Sequence, residues 1–119
     1  MLAIETFIIS ELNDLKFNFT HLGSTYIMES IQILYYNNLE NSPFNLEKDV
    51  YSIVASKHHQ SVQNIKSNIC KSSNHMYAEC TQDYLKKYFS FPVDLKPTPK
   101  LIIRTVLSNV CNKLLLQND

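Results

Sequence analysis

Apolar residues recur along this chain at intervals of three and four, the spacing that lines one face of a helix. Ile4, Ile8, Leu12 and Leu15 predict a first helix over residues 2–16. Lys16 to Gly23 reads as a loop in which Gly23 is free to take backbone angles that other residues avoid. Ser24 or Thr25 is the expected cap of a second helix, with acidic Glu29 near its start. That helix should run to about Tyr36 and bury Ile27, Ile31, Leu34 and Tyr35. In the polar stretch that follows, Pro43 rules out continuous helix, and Asn45 is placed to cap the next one.

The segment from Leu46 to Tyr77 reads as two helices joined by a tight bend at His58–His59–Gln60. The first carries Val50, Ile53 and Val54 on one side, with small Ala55 beside them to let the second cross closely. The second, residues 61–74, carries Val62, Ile65 and Ile69 on one face and turns Gln63, Asn64, Ser67, Lys71 and Asn74 away. Such a pair has the form of a helix-turn-helix, whose second helix can enter the major groove of DNA. Glycine is common in such bends; here His59 stands there. A fifth helix is expected over Thr81–Phe89, burying Tyr84, Leu85, Tyr88 and Phe89, followed by an extended SFPVDLKP. Thr98–Pro99 is a strong helix start, and Ile103, Val106, Val110 and Leu114 then fall in register. The expected fold is all-α: a six-helix single domain spanning residues 1–119.

Composition adjusts this picture. With 119 residues, 45% hydrophobic and 18% charged, the chain is globular and long enough for a real core. Eleven basic residues balance eleven acidic ones. A dedicated nucleic-acid binder is usually basic, so any DNA surface must be a local patch. Glu5 and Glu11 interrupt the apolar start, so no signal peptide is read, and no apolar run approaches the length of a membrane span. Cys70, Cys80 and Cys111, odd in number and far apart, suit reduced thiols in a cytoplasm. His58, His59, His75, Cys70 and Cys80 form no paired ligand motif, so no metal is expected. His58 and His59 read as solvated residues of the bend, or as neighbours of phosphate. No glycine-rich phosphate loop, nucleophile–base set or carboxylate pair points to an enzyme or a cofactor.

Four blocks carry a family resemblance: His21, Gly23, Tyr26, Glu29 and Ile31; Tyr51, Ala55, Lys57, Ile65 and Ile69; Leu85, Phe89 and Val93; and Lys96–Pro97–Thr98 with Ile103 and Val106. In order and spacing, from about residue 8 to 110, the chain resembles the C-terminal effector domain of the master response regulator of sporulation initiation (the stage zero sporulation protein A family). The resemblance implies a six-helix DNA-binding domain. One departure is a histidine one place closer to the glycine. A larger one lies on the reading helix, where the family's arginines are matched by Asn64, Ser67 and Cys70. None of these supplies the planar fork or permanent charge of arginine, although the Asn64 amide can read adenine. Nothing in the chain resembles the family's phosphate-accepting receiver domain.

Two functions follow. In the first, the chain is a transcription regulator on double-stranded DNA. Gln63, Asn64, Ser67 and Lys71 face bases or backbone, Lys66 adds charge, and Lys57, Gln60 and Ser61 hold phosphate at the bend. A neutral chain then needs a homodimer or tandem dimer, for which the last helix, ending LLL, is the candidate surface. In the second, the fold is a protein-interaction module that has lost DNA and modulates a related regulator.

Overall fold

The computed structural model describes residues 3–37, 43–90 and 96–117. Within them lie α1 (Ala3–Asp14), α2 (Leu22–Tyr36), a π-helical turn (Leu46–Tyr51) running into α3 (Ser52–His58), α4 (Val62–Glu79), α5 (Gln82–Phe89) and α6 (Pro99–Gln117). No strand occurs among the described residues. The predicted all-α architecture is the observed one. Expectations for residues 91–95, including Val93, lie outside the described residues.

α2 is the axis of the packing. It lies mainly against α4 and also touches α1, α3 and α6. Ile27, Ile31 and Leu34 from α2 meet Ile65, Ile69 and Met76 from α4, Ile8 and Leu12 from α1, and Ile102, Ile103 and Leu107 from α6, all fully buried. Tyr35 is only half-buried. The close approach of α2 to α4 depends on Gly23. A Cβ there would collide with the backbone carbonyl of Asn68 and with Ser72 Oγ. This corrects the loop reading: Gly23 lies inside α2 with ordinary helical geometry, and its missing side chain is used for packing.

Left-handed geometry falls instead on Lys16 (φ 76°), His59 (φ 56°) and Ser90 (φ 56°). At Lys16 it closes α1: the Lys16 N–H donates to Asn13 O (2.9 Å) and the Phe17 N–H to Leu12 O (3.0 Å), the paired bonds of a Schellman ending. The loop that follows is ordered by Asn18, whose side-chain oxygen accepts from the N–H (2.9 Å) and hydroxyl (2.7 Å) of Thr20. Neither Ser24 nor Thr25 caps α2, which begins earlier, after His21. Ser24 is buried in the first turn and donates to Asn18 O at 2.8 Å.

Asn45 does cap the third helical stretch: its side chain accepts from the Lys48 N–H (2.9 Å), and Asp49 accepts from the Asn45 N–H (2.8 Å). The first turn is wide, with the Ser52 N–H reaching back to Glu47 O. Val50 and Val54, with Tyr51 and Ala55, define the buried stripe. Ile53, expected to join it, is 49% exposed, because it lies about 200° around the helix from Ala55. α4 outruns its expected end at residue 74 because Ser72, Ser73 and Met76 continue the buried spacing of Ile65 and Ile69.

α5 is capped by Thr81 and anchored by Leu85 and Phe89. Tyr84, expected in the core, is exposed and stacks on half-buried Tyr88 at 6.0 Å. α6 starts as predicted, with Thr98 Oγ1 accepting from the Leu101 N–H at 3.2 Å. Ile103, Val106 and Val110 face the core, whereas Leu114 is half-buried and Leu115 and Leu116 are exposed. One buried carboxylate ties three helices together. Glu11 of α1 accepts from the Tyr88 hydroxyl of α5 (2.8 Å) and pairs with Lys113 of α6 (2.5 Å).

Candidate nucleic-acid interface

The turn between α3 and α4 consists of His59, Gln60 and Ser61. His59 takes the left-handed conformation that glycine usually supplies. Its N–H donates to Ser56 O (3.3 Å) and that of Gln60 to Ala55 O (2.9 Å), so α3 closes with a second Schellman ending. The chain then turns directly into α4, where Ser61 is the N-cap, its Oγ accepting from the Asn64 N–H at 3.0 Å. Histidine is among the side chains that tolerate this backbone geometry, so the sharp bend of a helix-turn-helix forms without glycine.

Behind α4, Ile65, Ile69 and Met76 are fully buried and Val62 is half-buried. In front, Gln63, Lys66, Lys71 and Asn74 are exposed, and Asn64, Ser67 and Cys70 are half-buried. Gln63, Ser67, Lys71 and Asn74 follow helical spacing along one flank, with Gln60 and Ser61 at its N-terminal end. Lys57 sits on the other side of the bend, 64% exposed.

Several of these groups already have partners. Asn64 Nδ2 donates to Gln60 Oε1, and Asn64 Oδ1 accepts from Asn68 Nδ2 at 2.8 Å. Reading a base with Asn64 therefore means releasing two amide bonds. Lys66 pairs with Glu47 at 2.8 Å, and that hydrogen bond holds its ammonium pKa above the ordinary value. Lys57 Nζ lies 3.2 Å from Glu29 Oε2. Among the described residues, Lys71 pairs with no carboxylate. The sole arginine, Arg104, lies on α6 over the Phe44 ring (5.0 Å), so α4 carries none.

His58 departs from expectation. It is not solvated at the bend but 30% exposed, with Nε2 2.9 Å from Glu29 Oε1 and its ring edge-on to Tyr26 at 5.0 Å. Glu29, Glu47 and Asn68 are the residues that sequence reasoning missed at this site. Glu29 and Glu47 come from other elements, so no local pattern joins them to the bend. Asn68 lies one turn from Asn64, a spacing that could have revealed the amide pair.

No cluster of three His, Cys, Asp or Glu residues able to hold a metal occurs among the described residues. No described helix is long and apolar enough to cross a membrane. A bend of three residues, a capped second helix held from behind and a polar flank left open are the features by which helix-turn-helix domains meet DNA. The family model described as "Sporulation initiation factor Spo0A C terminal" matches residues 8–110. The chain belongs to that family. Its members are DNA-binding effector domains of a sporulation regulator, a transcription-factor family and not one of enzymes. Double-stranded DNA is the partner that membership supports. No curated protein and no solved structure significantly matches the chain.

Proposed function

We propose that residues 1–119 form a single cytoplasmic helix-turn-helix effector-like domain that binds DNA sequence-specifically, with α4 in the major groove. Gln63, Asn64, Ser67 and Lys71 meet bases or backbone, Lys66 adds charge, and Lys57, Gln60 and Ser61 hold phosphate at the bend. The observation that carries this reading is the open polar flank of α4, fixed from behind by Ile65, Ile69 and Met76. Base preference differs from that of an arginine-bearing helix, because an amide and a hydroxyl replace guanidinium groups. A domain of zero formal charge binds DNA weakly as a lone monomer, so occupancy depends on a homodimer or tandem dimer. Exposed Leu115 and Leu116 at the end of α6 are the apolar surface for it.

A second reading has specific support: Lys57 and Lys66 are both held by carboxylates. In it the same face binds a related regulator and modulates it. Fluorescence anisotropy with AT-rich duplex at two salt concentrations separates the two. Binding at low salt that weakens steeply, with Lys71→Ala lowering the slope of log K against log salt by about one unit, is the result expected of a regulator. Absence of binding at low salt, with tight association to a related regulator, would establish the second.

A further inference from the structure

Glu29 belongs to α2, outside the helix-turn-helix, yet it holds both basic side chains at the end of α3. Its side chain is 9% exposed, against 64% for Lys57 and 30% for His58. Both carboxylate oxygens lie 2.9 Å from His58 Nε2, and Oε2 lies 3.2 Å from Lys57 Nζ. We propose that Glu29 is a positioning residue for the phosphate clamp at the bend, and that the proton on His58 sets how much of the Lys57 charge reaches DNA. This rests on the reading of Lys57 as a phosphate contact.

A carboxylate this enclosed stays ionised only while its charge is matched. With His58 neutral, Nε2–H gives Glu29 one hydrogen bond, and Lys57 is the cation that balances it. Moving Lys57 to a phosphate would then leave the buried charge with a neutral partner alone. With His58 protonated, the imidazolium balances Glu29 from a shorter and less exposed side chain. Lys57 is released, and the three groups together change from a net charge of zero to +1. Binding DNA through Lys57 is therefore coupled to uptake of up to one proton at His58, and affinity rises as pH falls.

The surroundings favour this assignment. From α1, acidic Glu5 lines the same groove as Glu29 and Lys57. From α2, Tyr26 packs against the imidazole. On α4, Lys66 is committed to Glu47. His59, next in the chain, is exposed and can itself approach phosphate when charged, so it must be controlled for.

The test is duplex binding by anisotropy from pH 5.5 to 8 at constant ionic strength, with every variant made in a His59→Gln background. The background protein should bind about threefold to tenfold more tightly at the acid end. Glu29→Gln keeps an acceptor for His58 and removes the charge. It should bind more tightly at pH 8 by a similar factor, with a salt slope steeper by about one unit and a flattened pH profile. His58→Gln should also flatten the profile. Lys57→Gln, a change at an exposed position that should not threaten folding, should flatten it too, because His58 acts through Lys57. A pH profile that persists in Lys57→Gln would overturn the proposal, since His58 would then meet DNA directly. So would an unchanged affinity and slope in folded Glu29→Gln. Absence of duplex binding at every pH would instead defeat the DNA-binding reading on which the proposal stands.

Discussion

The one glycine of this chain and the three left-handed residues among those described divide two tasks that sequence reading usually assigns together. Lys16, His59 and Ser90 bend the backbone, while Gly23 removes a side chain where α2 meets α4. Opposite substitutions should therefore have opposite effects. Gly23→Ala places a methyl group against a backbone carbonyl that cannot move aside, and should destabilise the fold by about 3 kcal/mol in urea unfolding. His59→Gly relieves left-handed strain and should stabilise by up to about 1 kcal/mol in the same assay. Little of this was legible in the sequence. A lone glycine before a helix looks like a turn residue, and its true contact, Asn68, is distant in the chain. At His58 the local string suggested a solvated ring, because nothing near it announces Glu29.

Elements were far more legible than residues. Regular three–four spacing marked all six helices, and the expected caps at Asn45 and Thr98 have oxygens that accept backbone N–H groups, whereas neither Ser24 nor Thr25 caps α2. Errors arose where an apolar residue sits at the edge of a stripe. Ile53 lies three residues from buried Val50 but turns away from the Tyr51 and Ala55 side of the stripe, and Tyr84 stacks on Tyr88 at the surface of α5. The end of α4 was missed because two serines interrupt the apolar pattern, although both are buried and Ser72 lies where Gly23 of α2 meets α4. Packing between elements also leaves a signature in pH. Burial, above all, raises the phenol pKa values of Tyr51 and Tyr88 well above the usual tyrosine value. The folded state thus keeps protons that the unfolded chain releases above about pH 10. Stability from these groups is present below that pH and lost as pH rises, so the urea midpoint should fall between pH 9 and pH 11. Tyr88→Phe should lessen that fall.

At the scale of the whole molecule, a neutral chain has been shaped into a DNA-binding fold with few free charges on its reading face. Glu29 and Glu47 hold Lys57 and Lys66, leaving Lys71 as the unpaired cation of α4 among the described residues. Specificity must then rest on amides, a hydroxyl and geometry more than on attraction to phosphate. The family and its span were readable in advance because scattered core and capping positions keep their order from residue 8 to 110. The pairing of the lysines was not, since each partner carboxylate lies on another element. The most direct test of where DNA lies is a two-dimensional amide NMR titration of the labelled protein with a short duplex. Shifts concentrated on residues 57–61 and on Gln63, Asn64, Ser67 and Lys71, with α1 and α5 quiet, are expected. Shifts confined to α1, α5 or the end of α6, with the flank of α4 unmoved, would contradict the assignment of α4 as the reading helix.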